Sequence, residues 1–285
     1  MADTSDARTG SPFTERGTTG HLAWARTAPT VDICFLHGFS DSADCWGPFV
    51  AALEGPWESL AIDARGHGSS GLPDETTGRS AHVRDVGQVL ETVVAAGGLR
   101  PGGRVVVVGH SMGAVTTAAL AASRPDLVAA AILEDPPPGQ RPTGEDSAPA
   151  PARRRNLDWL HAARARDLAE RIAVNRAGNP DWPDDEHEPW AVSKERFDLR
   201  VLDLPAEPMA YLPDVLPKVS CPVLLLRGDT DRGSLISADM AAECAAAAAG
   251  EYESVHIEGA GHNIRRDRRA PYLAAVTDFL CRYAG

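Results

Sequence analysis

The chain has 285 residues, 43% of them hydrophobic and 24% charged, an ordinary globular mix that excludes a disordered chain and a fibrous repeat. Its net charge of −12 repels phosphate backbones and anionic lipid, so neither nucleic acid nor a membrane surface is expected as a partner. Five cysteines, Cys34, Cys45, Cys221, Cys244 and Cys281, are odd in number, widely spaced and form no CxxC pair. Reduced thiols are expected, with no disulfide framework and no metal site.

The chain opens on MADTSDARTGSPFTERGTTG, which has no apolar stretch and does not read as a signal peptide. No window holds 18 apolar residues, so no transmembrane helix is expected and a cytoplasmic protein is the reading. Residues 1–18 read as a loose tail.

Apolar runs then follow in order. Gly20 to Ala25 alternates like an edge strand. Val31 to Leu36, Leu60 to Ile62, Val105 to Val108, Ala131 to Leu133, Val223 to Leu226 and Tyr252 to Ile257 are rich in Val, Ile and Leu, and most are apolar on both faces. Such runs suit strands buried in a parallel sheet. Helical spacing falls between them, over Pro48 to Leu53, Ala81 to Ala96, Met112 to Ala122, Ala238 to Ala249 and Pro271 to Tyr283. Alternating strands and helices predict an α/β protein with a doubly wound, mostly parallel sheet.

One region breaks the rhythm. From 136 to 217 no strand-like run occurs. A Pro/Gly-rich loop leads to a helical stretch from Asn156 to Arg176, preceded by the basic run Arg153-Arg154-Arg155. NPDWPDDEHEPW follows, then a short helix around Val192 to Asp198. The domain reading is a core of 19–135 and 218–285 carrying a helical insert at 136–217. Trp159, Trp182 and Trp190 concentrate there, and Trp182 and Trp190 are candidates to roof an apolar pocket.

The strongest chemical signal is Gly109-His110-Ser111-Met112-Gly113, a G-x-S-x-G motif between a four-valine strand and a small-residue helix. Glycines at both ends allow a sharp strand-to-helix turn. The serine hydroxyl then stands at a helix N-terminus, where developing negative charge is favoured. A serine nucleophile needs a base. Among nine histidines, His262 stands in a small-residue loop after the last strand run and is the candidate. His37 and His110 lie near the site and read as shaping it.

Together these features resemble the α/β-hydrolase superfamily. The resemblance rests on His37-Gly38-Phe39, Asp63-Ala64-Arg65-Gly66-His67-Gly68, Gly109-His110-Ser111-Met112-Gly113 and Gly261-His262, in that order, and covers about residue 20 to 282. It implies that the insert is a cap and that Phe39 and Met112 supply oxyanion N–H groups. His37, Gly38 and His110 would border the substrate. It implies an acid too, but leaves two candidates. Asp231, in Gly228-Asp229-Thr230-Asp231, follows the strand after the insert, where the family usually places it. Asp135, in Leu133-Glu134-Asp135-Pro136, follows the strand before the insert, where a minority do. Glu134 and Asp229 are lesser alternatives.

The function expected is a cofactor-free serine hydrolase acting on a small-molecule carboxylic ester or lactone, as a monomer or homodimer. Other chemistry on the same triad, such as carbon–carbon hydrolysis, perhydrolysis or hydroxynitrile cleavage, is the alternative, with a non-catalytic receptor behind it.

Overall fold

The structure, a computed structural model, describes residues 10–73, 78–98, 103–139, 158–204 and 207–284. Eight strands form one sheet: β1 (Glu15–Thr19), β2 (Leu22–Arg26), β3 (Ile33–Leu36), β4 (Ser59–Ile62), β5 (Val105–His110), β6 (Val128–Glu134), β7 (Val223–Arg227) and β8 (Tyr252–His256). Their order across the sheet is β1-β2-β4-β3-β5-β6-β7-β8. β1 and β2 pair antiparallel, as do β2 and β4, and every pair from β4 to β8 is parallel. The expected doubly wound, mostly parallel sheet is therefore present. The tail expected over 1–18 is shorter, because Glu15–Thr19 pairs with Leu22–Arg26 through a turn at Gly20. Residues 1–9 lie outside the described residues.

Period-two alternation divides the strand side chains between two cores. Cys34, Leu36, Val105 and Val107 enter one core, with Val86, Leu90, Ala114 and Ala118. The latter residues lie on α2 (Arg79–Ala95) and α3 (Met112–Ser123). Ile33, Phe35, Val106 and Val108 enter the other, with Phe49, Tyr272, Val276 and Phe279. These belong to α1 (Gly47–Ala52) and the C-terminal helix, introduced below.

Between β6 and β7 the described residues contain helices and turns but no strand. They are α4 over 158–164, α5 (Leu168–Gly178), α6 (Asp184–Glu195) and α7 (Leu212–Val215). The single helix expected from Asn156 is interrupted: Asp167 caps a fresh start, accepting from the Glu170 N–H. The short helix expected around Val192 to Asp198 starts and ends earlier, as α6, because Asp184, Asp185 and Glu186 fill its first turn and suit the positive end of the helix dipole. Leu212 and Leu216 pack into the core cluster. The Arg153-Arg154-Arg155 run lies outside the described residues. After β7 come α8 (Ala238–Ala247), α9 (Ile264–Asp267) and α10 (Arg269–Tyr283). Among the described residues no helix is long and apolar enough to cross a membrane.

Close approach in the middle of the sheet depends on glycine. A Cβ on Gly113 would fall into the Leu36 carbonyl, and one on Gly109 into the Gly113 carbonyl. Backbone cannot retreat as a flexible side chain can. Gly113→Ala is expected to destabilise the protein by about 1–3 kcal/mol, the usual cost of overpacking. A urea midpoint equal to wild type would refute this account.

Candidate active site

Ser111 ends β5 as the N-cap of α3, with φ 51° and ψ −114°. Among the described residues the non-glycine residues at positive φ are Ser40, Ser111 and Asp135. They follow β3, β5 and β6, three neighbouring strands that finish at one edge of the sheet. Strained backbone of this kind persists only where its surroundings over-determine it, and it gathers at functional sites.

His262 Nε2 lies 3.0 Å from Ser111 Oγ, and His262 Nδ1 lies 2.6 Å from Asp135 Oδ2. The serine hydroxyl can donate to Nε2 while Nδ1–H donates to the carboxylate. Asp135 is fully buried, whereas a third of the His262 side chain is exposed. A buried carboxylate must be satisfied by donors. Asp135 accepts from the Ser234 hydroxyl (2.7 Å) and from the N–H groups of Leu235 (2.9 Å) and Ile236 (3.2 Å).

Of the two candidate acids, Asp135 therefore meets His262 and Asp231 does not. Asp231 sits exposed in the 3-10 turn Thr230–Arg232. The reason is the next stretch of backbone. Gly228 N–H donates to Ser234 Oγ and Asp229 N–H to the Ala260 carbonyl, so this loop curls inward with Ser234 to Ile236 and outward with Asp231. The post-β7 loop thus brings donors to Asp135 and leaves Asp231 away from His262. Glu134 and Asp229 are engaged elsewhere. Glu134 accepts from Arg265 and Tyr272, and Asp229 from Gly259 N–H with His256 Nε2 beside it.

The other expected site residues divide. Gly38 lets the chain after β3 pass Ser111: a Cβ there would meet His110 Nδ1 at 2.7 Å and Ser111 Cβ at 3.3 Å. His37 Nδ1–H donates to the Gly38 carbonyl (2.8 Å), and its Nε2 accepts from Ala64 N–H (2.9 Å). Asp41 N–H reaches the same Gly38 carbonyl at 3.1 Å. With that carbonyl held from behind, the trans geometry of the Gly38–Phe39 peptide turns the Phe39 N–H the opposite way. His37 and His110 were expected to border substrate, but both are buried and brace backbone instead. His110 Nε2–H donates to the His262 carbonyl at 3.0 Å. Phe39 packs against Phe197 of the helical segment, ring centroids 5.0 Å apart. Met112 begins α3.

The tryptophans also divide. Trp182 is corrected from a pocket residue to a strut. It is 6% exposed, stacked with His187 and donates its indole N–H to Asp267 at 2.7 Å. The other Asp267 oxygen accepts from Gly261 N–H, next to His262. Trp190 is half-buried, with its ring 4.9 Å from Lys194 Nζ.

Sequence reasoning passed over a buried ion cluster beside these loops. Asp41 meets Lys194 at 2.6 Å and Arg266 at 2.9 Å, and Arg266 Nε reaches Glu186 at 3.1 Å. Burial pushes the Asp41 carboxyl up, but Arg266, Lys194 and Arg265 overcome it and hold the group well below the usual range. Burial pulls Lys194 down despite Asp41. The Arg265-Arg266 pair two residues beyond Asn263 was the available signal. Among the described residues no group of three His, Cys, Asp or Glu side chains is arranged to hold a metal ion.

Comparison with known proteins adds family context. The model of the alpha/beta hydrolase family matches residues 35–275. A 2-(acetamidomethylene)succinate hydrolase of Mesorhizobium japonicum is 29% identical over 101 residues, 35% of this chain and 34% of that protein. An esterase of Mycobacterium tuberculosis is 34% identical over 125 residues, 44% of this chain and 38% of its own. The chain thus aligns with little more than a third of the length of these curated relatives. The crystal structure of E-2-(acetamidomethylene)succinate hydrolase superposes with a TM-score of 0.68 at 23% identity, covering 91% of this chain and 95% of that one. N-formylmaleamic acid deformylase from Pseudomonas putida S16 gives 0.71 at 20%, covering 92% and 99%. At these identities the likeness is one of fold.

The bracing histidines set a pH dependence. Burial lowers His37 to about 4 and puts His110 well below the usual imidazole range. A histidine depressed in the folded state contributes stability that is complete above 6.5, its unfolded value, and lost as pH falls through its folded value. For His37 the loss between pH 6.5 and 4 is about 3 kcal/mol. Asp63, raised by burial to about 6, works the other way over the same range, so the comparison must be made against a variant. Urea midpoints from pH 7 to 4 should fall less steeply in His37→Gln than in wild type. Parallel profiles would sink the assignment.

Proposed function

This chain belongs to the alpha/beta hydrolase family, and from that premise we propose that it is a serine hydrolase cleaving a carboxylic ester or lactone through an acyl-enzyme. The observation that carries this reading is the hydrogen-bonded line from Ser111 Oγ to His262 Nε2 (3.0 Å) and from His262 Nδ1 to Asp135 (2.6 Å). In it each proton transfer has a donor and an acceptor already within reach.

Ser111 Oγ attacks the substrate carbonyl while His262 Nε2 takes its proton. Asp135 stabilises the imidazolium and keeps the ring in the required tautomer. The carbonyl oxygen becomes an oxyanion, held by the N–H groups of Phe39 and Met112. His262 then passes its proton to the leaving alkoxide. A water, deprotonated by the same nitrogen, attacks the acyl-enzyme, and the acid product leaves with Ser111 restored. The helices between β6 and β7 act as the cap. Trp190, half-buried on α6, is its candidate pocket residue.

A second reading comes from relatives named for 2-(acetamidomethylene)succinate and N-formylmaleamic acid. The same three side chains would then act on an acylated nitrogen. A panel of esters, lactones, N-acetyl and N-formyl amides, with product masses as readout, separates the two.

Ser111→Ala is expected to lose on the order of 10⁶-fold in kcat, since triad members act as a unit. Retention of a tenth of the wild-type rate would mean another nucleophile. Asp135→Asn should lose on the order of 10⁴-fold through the wrong imidazole tautomer. Asp231→Asn, exposed and remote from His262, should stay within about twofold of wild type, the range of surface substitutions. Inverted effects in these two variants would overturn the choice of acid.

A further inference from the structure

Lys194 lies on α6 and is 1% exposed, although lysines are almost never fully buried unless paired. Its ammonium has three N–H donors. Nζ lies 2.6 Å from Asp41 Oδ1, 3.0 Å from the Ser40 carbonyl oxygen and 3.1 Å from Ser40 Oγ. All three partners belong to the turn that follows β3. The rings of Trp190 and Trp159 close over the same nitrogen at 4.9 and 5.7 Å. A cation from the helical segment is thereby seated on the loop that carries Phe39.

The consequences run through the backbone. Ser40 is held at φ 62°, a conformation a serine rarely adopts, and Lys194 takes its carbonyl. Asp41, fixed by Lys194 on one oxygen and by Arg266 on the other, gives its N–H to the Gly38 carbonyl. That carbonyl belongs to the peptide bearing the Phe39 N–H. Arg266 also donates to Asn263 Oδ1, next to His262, and to Glu186, again on α6.

We propose that Lys194 is a positioning residue for the hydrolysis: by holding Ser40 and Asp41 it aims the Phe39 N–H at the oxyanion. The proposal rests on the serine-hydrolase reading above. It makes the helical segment part of the apparatus that stabilises charge, in addition to any part in enclosing the substrate. An aimed donor matters most where charge has developed, so its loosening lowers kcat more than it raises KM. Removal of a whole oxyanion donor costs about 10²–10³-fold, and a misdirected one about 10- to 100-fold.

The test uses Lys194→Met, which keeps the stem and leaves Asp41 paired with Arg266. Steady-state kinetics on a p-nitrophenyl ester are measured beside inhibition by a trifluoromethyl ketone, which forms an oxyanion on the serine, and by the product carboxylate. The expected result is a 10- to 100-fold fall in kcat and a matching loss of ketone affinity. KM should stay within about twofold, while the anionic carboxylate loses affinity along with the ketone. Should this variant not fold, the charge-neutral pair Lys194→Met with Asp41→Asn is measured the same way, with the same expectation. Folded protein with kcat within twofold of wild type, or with KM alone changed, overturns the proposal and leaves the hydrolase reading standing. Wild-type protein that turns over no substrate of the panel and takes no fluorophosphonate label at Ser111 overturns the hydrolase reading, and the proposal with it.

Discussion

The carboxylate of Asp135 has no exposed surface, and a buried charge survives only when its oxygens are occupied. Four groups occupy them: the Ser234 hydroxyl, two successive backbone N–H groups and His262. Three of these come from the loop after β7, so that loop is shaped around the buried carboxylate. The fourth is the imidazole whose other nitrogen faces Ser111. The geometry of the site thus follows from where the chain sets down this one charge, at the end of β6, beside the strand that carries the serine.

Backbone strain marks the same edge. Ser40, Ser111 and Asp135 hold positive φ at the exits of β3, β5 and β6. Ser111 N–H donates to the Glu134 carbonyl at 2.9 Å, and Asp135 N–H to the Leu226 carbonyl at 2.9 Å. Parallel pairing of β3, β5 and β6 puts the three exits side by side. Gly38, Gly109 and Gly113 let the chain segments close without side-chain collision.

Buried ion pairs do the joining between layers. Glu134 binds Arg265, whose guanidinium also lies 4.2 Å over the Trp46 ring, and Tyr272 from α10 donates to the same carboxylate. Asp41 and Glu186 share Arg266, and Lys194 completes the set from α6. Such pairs add little net stability, because desolvation offsets their attraction, but loss of one partner strands a charge. Their effect is to fix relative position. Here they lock the helical segment, the turn after β3 and the His262 loop to one another.

The sequence by itself determined the strands and the sharp strand-to-helix turn at Ser111, and it singled out His262. Four consecutive valines can only be buried on both faces, and a serine between glycines at a strand-to-helix junction is a local pattern. His262 was legible because small residues surround it after the last strand. The carboxylate that meets His262 was not legible. Asp135 and Asp231 both end strands, and nothing within a few residues of either says which faces inward. That choice belongs to contacts made only after folding: the Ala260 carbonyl takes the Asp229 N–H, and Ser234, Leu235 and Ile236 reach Asp135 from 99 to 101 positions away. The Trp182 strut and the early start of the helix over 184–195 were missed for a like reason. A tryptophan in a Pro-rich acidic stretch reads as a pocket residue until Asp267, 85 positions away, accepts its N–H. Lys194 is the clearest case: a lone lysine in a polar helix reads as solvated, and only the partners brought to it from 153 and 154 positions away make it a buried cation. Local patterns specify which chemistry the chain carries. Contacts between residues distant in sequence decide which groups share it, because burial and charge pairing exist only once the layers have closed.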